Sequence, residues 1–134
     1  LFATFAEEVA AGPTSAEALH ELRIRGKRLR YAMEVFADAF APPFREEVYP
    51  AVERAQELLG DVQDAHVAAA RVKRVFGRVK RLRPAAAGRV WPGFRGLVRE
   101  LATTSRERKG QFAGWVAEWR AVTAMHPLDR LRLS

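Results

Sequence analysis

His20-Glu21-Leu22-Arg23-Ile24-Arg25-Gly26-Lys27-Arg28-Leu29-Arg30-Tyr31 is the stretch from which the fold can be read. Its apolar positions belong to a longer series, Leu19, Leu22, Gly26, Leu29, Met33, Phe36 and Phe40, that advances by three and four residues. That alternation lays one stripe along a helix, the seam of a helix packed lengthwise against others. The spacing predicts a helix over about 15–40. Thr14 or Ser15 is placed to cap its start after Pro13, with Glu17 near the positive end of the helix dipole.

On the N-terminal side, Leu1 to Ala11 reads as the tail of another helix with Phe2, Phe5 and Val9 on one side. On the C-terminal side, Ala41-Pro42-Pro43 breaks the pattern, because proline lacks the N–H that a helix interior uses. A second seam then runs through Val48, Val52, Ala55, Leu58, Val62, Ala65, Ala69, Val72 and Phe76, predicting one long helix over about 44–77. Pro50 is expected to mark a first turn or a kink, and Gly60 a close helix contact, since glycine costs about 1 kcal/mol relative to alanine inside a helix. The segment from Pro84 to Gly93 reads as a second break. A third helix is predicted over about 93–123, with Phe94, Leu97, Leu101, Ser105, Arg108, Phe112, Trp115, Trp119 and Val122 on one stripe. Its polar middle implies a wet groove, because an unpaired buried arginine is prohibitively costly; the alternative is a break near Thr103-Thr104-Ser105. No strand signal stands out, so the expected fold is all-α, an antiparallel bundle of three long helices plus a short N-terminal helical segment, as a single helical domain over 1–134.

The chain is long enough to bury a core without disulfides and has no cysteine to form them. Thiolate catalysis and zinc-thiolate sites are thereby excluded, and a reducing cytoplasm is the expected compartment. No apolar run approaches the roughly 20 residues needed to span a bilayer, so no membrane partner is expected. The formal charge is +7, and it is segregated. Eight carboxylates oppose two arginines from Ala32 to Asp64, whereas Ala65 to Arg99 holds ten basic residues and no acidic one. A polyanion is the partner this pattern favours.

On the first long helix, His20, Arg23, Lys27, Arg30 and Glu34 form a stripe one residue beyond the apolar seam, with Arg28 and Tyr31 beside it. Such positions anchor their stems on the bundle while their charged heads converge on a groove. Arginine offers phosphate a planar fork, lysine a compact charge, and histidine a donor that strengthens on protonation. The plain alternative is a solvated basic face with no ligand. Glu57, Asp61 and Asp64 are spaced to hold a divalent cation, but the preferred expectation is that they orient arginines of the first helix; His66 and His126 lack metal-ligand spacing. There is no Gly-rich phosphate loop, nucleophile elbow or H-E-x-x-H motif, so neither catalysis, a metal nor a cofactor is expected.

The pattern H-x-x-R-x-x-x-K-R-L-R-Y, filled by His20, Arg23, Lys27, Arg28, Leu29, Arg30 and Tyr31, resembles the signature of the CHAD domain, the conserved histidine α-helical domain. Gln56-Glu-Leu-Leu-Gly-Asp-Val-Gln-Asp64, leading into an alanine-rich helix, is similar to that family's second signature, and the resemblance spans about Thr14 to Trp119. It implies a helical domain of two similar halves that binds inorganic polyphosphate through basic residues lining a channel, with some members at polyphosphate granules. This chain carries one such unit, more similar to the C-terminal copy, which makes it either a fragment of a longer protein or half of a homodimer. In the paired form Arg106, Arg108 and Lys109 would join His20, Arg23, Lys27, Arg28, Arg30 and Tyr31 around the polyphosphate. Nucleic acid is the less favoured polyanion, because Trp115 and Trp119 sit on the core seam instead of offering stacking surfaces, and a third reading is a helical scaffold for an acidic protein.

Overall fold

The computed structural model describes residues 1–131, and among them nearly all are helical and none lies in a strand. Helix α1 spans Phe2–Ala10, α2 Ala16–Phe36, α3 Tyr49–Leu82, α4 Pro84–Met125 and the short α5 Leu128–Leu131. The chain divides into two compact units. One comprises Leu1–Gly60 together with the described residues from Lys109 onward; the other is Asp61–Arg108. Helices α3 and α4 contribute to both.

The first unit is a helical bundle around a buried aromatic centre. Leu19, Leu22, Gly26, Leu29 and Met33 of α2 are buried as the seam predicts. Phe5 and Val9 of α1 and Val48, Val52, Ala55 and Leu58 of the second seam are buried too. Phe112, Trp115 and Trp119 of α4 complete the core. Trp115 stacks between Phe112 and Trp119, and Phe5 meets both tryptophans edge-on. The one polar atom of the Trp115 ring donates to the Ala51 carbonyl at 2.8 Å, so the largest buried side chain leaves no orphaned donor. Ser15, not Thr14, caps α2, its hydroxyl accepting from the Ala18 N–H at 3.1 Å.

Where α2 ends, the structure departs from the predicted seam. The α-helix stops at Phe36, three residues of 3-10 helix follow, and Phe36 is 60% exposed, so the seam is buried only as far as Met33. A π-turn over Phe44–Val48 precedes α3, and the Tyr49 N–H reaches back to the Phe44 carbonyl. Pro50 accounts for the irregularity: lacking an N–H, it cannot donate to the Glu46 carbonyl that a regular turn would offer it. His126 holds this turn through a 2.9 Å contact with Glu47.

The close helix contact lies at Gly26 and not at Gly60. A Cβ at Gly26 would stand 3.0 Å from the Phe5 ring and nearer still to the Gln56 amide, whereas one at Gly60 would meet nothing within 4 Å. Three helices converge on Gly26, and Gln56 fastens α3 to α2 there by donating to the Arg23 carbonyl at 3.1 Å.

The second unit is a helical hairpin built from α3 beyond Gly60 and α4 up to Arg108. The predicted break from Pro84 to Gly93 is absent: only Arg83 separates the two helices, and α4 continues through Pro92. Pro84 takes the first helical position, where a missing N–H costs nothing, and Ala85, Ala86 and Ala87 are the strongest helix formers that could follow it. No break occurs at Thr103-Thr104-Ser105 either; the Thr103 hydroxyl bonds back to the Arg99 carbonyl. Phe76 packs on Trp91 and Phe94 across the hairpin. Two helices enclose little, and the buried side chains of this unit are only Val62, Ala65 and Ala87.

Candidate functional site

Six of the predicted site residues, His20, Arg23, Lys27, Arg28, Arg30 and Tyr31, lie on α2 in the first unit, with Arg23 and Arg30 beside its buried seam and Arg28 and Tyr31 farther round on the exposed side. The step of three and four that buries Leu22, Gly26 and Leu29 displaces Arg23, Lys27 and Arg30 by one residue to the rim of the bundle. Lys27 and Arg28 are exposed, while His20, Arg23 and Arg30 are half-buried. Tyr31 lies under two cations, with the Lys27 ammonium 5.8 Å and the Arg30 guanidinium 5.2 Å from its ring centroid. That contact stiffens side chains that would otherwise lose rotamer freedom on capturing a ligand.

Charges on α2 fall into two sets. Arg25 contacts Glu8 of α1 at 2.6 Å and Arg30 contacts Glu34 at 3.5 Å, so both have carboxylate neighbours. Arg23, Lys27 and Arg28 have no carboxylate within ion-pairing distance among the described residues. This unit is not short of anions, since the residues outside Asp61–Arg108 number twelve acidic against eleven basic. Beside Arg30, the Tyr49 hydroxyl donates to Glu34 at 2.8 Å; that bond, then burial, holds its pKa above the ordinary value of 10.0. The Nδ1 atom of His20 is buried and makes no hydrogen bond to the protein.

Of the three predicted residues on α4, Lys109 belongs to the first unit, and Arg106 and Arg108 to the second. The Arg108 Nε contacts Asp61 at 3.0 Å. This corrects the expectation that the carboxylates of the second long helix orient arginines of the first. Asp61 faces an arginine of α4, and Glu57 pairs with Arg54 of its own helix at 3.6 Å. What reaches from α3 to α2 is an uncharged amide, Gln56. Among the described residues no three His, Asp or Glu side chains are grouped to hold a metal ion.

Charge counted by unit shows what the run of residues alone did not. Asp61–Arg108 holds twelve basic residues against four acidic ones, a surplus of eight, while the remainder of the chain is at −1. The excess charge therefore belongs to the hairpin and not to the unit that carries His20. The hairpin also presents Trp91, 46% exposed, with Lys73 and Arg95 lining the same cleft. In the sequence this surface is signalled by the lack of acidic residues between Ala65 and Arg99, but Trp91 lies between Pro84 and Gly93, where the sequence predicts a break. Trp115 and Trp119 are buried as expected.

A model of the CHAD domain matches residues 1–73, which take in α1, α2 and α3 as far as Lys73. The match begins before and ends before the span from Thr14 to Trp119 over which the motifs suggested the likeness, and it contains both motifs. No curated protein and no solved structure matches the chain.

Proposed function

The chain belongs to the CHAD domain family, and we propose on that premise that it is a non-catalytic module that binds inorganic polyphosphate. The observation that carries the proposal is the trio Arg23, Lys27 and Arg28, three cations on one helix without a carboxylate partner among the described residues, in a unit richer in acids than in bases. Cations that no carboxylate engages remain available to a ligand of successive phosphates, whose oxygens take charge-assisted hydrogen bonds from them. His20 and Tyr31 adjoin the trio, and Arg30 adds a guanidinium at its C-terminal end. Lys109 belongs to the same unit, and two copies of the chain pair as a homodimer around the polyphosphate. The place of action is then the cytoplasm, at polyphosphate granules.

The experiment is titration of polyphosphate into Lys27→Ala/Arg28→Ala across a salt series. Each lost phosphate contact lowers the slope of log affinity against log salt by about 0.7–0.9, so the double variant is expected to bind more weakly with a slope shallower by about 1.5. An unchanged slope would place the ligand on another surface.

One observation favours a second reading. Trp91, exposed between Lys73 and Arg95, has the pairing of aromatic face and cation on which bases stack. If the ligand is a single-stranded nucleic acid, Trp91→Ala weakens its binding and leaves polyphosphate binding unchanged.

A further inference from the structure

The hairpin of the second unit has two unlike sides. On one, Lys73 and Arg95 line a cleft with Phe76, Trp91 and Phe94. A helix turns about 100° per residue, so Val75 and Leu82 project about 160–180° around α3 from Lys73, and Leu97 projects about 160° around α4 from Arg95. Both rows therefore emerge on the side away from the cleft. Val90 and Gly93 line a shallow depression there with Leu97. Val67, Val75, Leu82, Val90 and Leu97 are all exposed, Leu82 to 74% at the one-residue turn.

Along α3 this side reads Val67, Arg71, Val75, Arg78, Leu82, at steps of four, four, three and four. Core seams of this chain use the same steps, but here every second position is an arginine. Lys80, Arg81 and Arg83 surround Leu82 at the turn, and Arg89 flanks Val90. Aliphatic rows with cations set among them cannot pack dry against a second copy, because a surplus of eight positive charges on each hairpin would meet its like. Polyphosphate and nucleic-acid backbones gain nothing from valine and leucine. An anionic bilayer surface uses both: the aliphatic side chains enter the acyl boundary while the long arginine and lysine stems carry their charges up to lipid phosphates.

We propose that the Val75, Leu82, Val90 and Leu97 side of the hairpin is a peripheral docking surface for an anionic lipid bilayer. No helix among the described residues is long and apolar enough to cross a membrane, and contact at the surface requires none. The lack of a spanning run, from which the sequence predicts no membrane partner, does not bear on contact at a bilayer surface. This inference does not depend on polyphosphate binding by α2.

Its test is co-sedimentation of the full chain with vesicles at about 0.15 M salt, where attraction between charges more than about 8 Å apart is largely screened and contact at the bilayer surface is needed. The chain is expected to sediment with phosphatidylcholine vesicles containing about one-third phosphatidylglycerol and not with phosphatidylcholine alone. Val75→Ser/Leu82→Ser/Leu97→Ser keeps every charge and is expected to lose about tenfold or more in vesicle affinity while binding polyphosphate as before. Leu82→Ser alone, at the most exposed of these positions, repeats the test with the smallest demand on folding and is expected to lose about threefold. The proposal is overturned if the parent chain ignores anionic vesicles, or if the serine variants bind them as well as the parent does. A triple variant that loses single-stranded RNA binding while the parent shows no vesicle binding also overturns it, assigning the face to nucleic acid.

Discussion

Replacing Gly26 by Ala adds one methyl group to the point where α1, α2 and α3 meet. The new Cβ falls 3.0 Å from Phe5 Cε2 and closer than that to Gln56 Nε2, so the Gln56 side chain must swing away. In doing so it gives up its 3.1 Å bond to the Arg23 carbonyl, in a part-buried position. Losing that bond costs about 1–3 kcal/mol, and crowding against Phe5 adds about 1 kcal/mol. The better helix propensity of alanine returns about 1 kcal/mol. The expected net loss is about 1–3 kcal/mol, or roughly 4–12 °C in Tm for a chain of this length, measured by circular dichroism melting and urea titration. The mechanism can be isolated by a cycle. In a Gln56→Ala background the obstructing amide is gone, so Gly26→Ala should cost at most about 1 kcal/mol there. An equal cost in both backgrounds would show that Gln56 is not what fills the space, and a stabilising Gly26→Ala in the parent chain would refute the close approach altogether.

The same substitution at Gly60, where a Cβ meets nothing within 4 Å, is expected to stabilise by up to about 1 kcal/mol in the same melts. Leu29→Ala, at a buried seam position between the proposed ligand-binding cations, should cost about 2–5 kcal/mol through the cavity it leaves, whereas Lys27→Ala/Arg28→Ala should leave the melting temperature within about 2 °C of the parent. Tyr49 gives a signature in pH. Its folded-state pKa is raised by the bond to Glu34, so its stabilising contribution is complete below about pH 10 and is lost as pH rises through the folded value. The stability gap between the parent and Tyr49→Phe should therefore close above pH 10, and a gap constant to higher pH would count against the bond. Light scattering should show self-association that strengthens when polyphosphate is added, because an anion bound between two basic faces favours the pair by mass action; a strict monomer that still binds tightly would make one unit a sufficient site.

Seam periodicity was enough to find α2 and α3, because a stripe repeating every three and four residues has only one way to be buried; it missed where α2 ends and where α4 begins, and Leu97 of the third predicted seam is 44% exposed. Leu19 to Met33 and Val48 to Ala65 went where that rule sends them. The basic stripe of α2 was equally legible, since positions one residue past a buried seam must reach the rim. Local chemistry misled where it competes with context. Pro84 and Pro92 read as a break, yet Pro84 opens α4, where a missing N–H costs nothing, and Pro92 sits inside it beside Trp91, which packs on Phe76. Gly60 and Gly26 look alike in sequence, and only the packing of Phe5 and Gln56 shows which of them must lack a side chain. Pairing of charges was likewise beyond the sequence, for Asp61 meets Arg108 across 47 positions of chain, and Arg23, Lys27 and Arg28 have no carboxylate partner among the described residues. A sequence fixes which faces of its helices are apolar or charged, because that depends on neighbours three and four residues away; which of those faces is covered, paired or left open depends on partners brought from far along the chain, and the tertiary structure alone decides it.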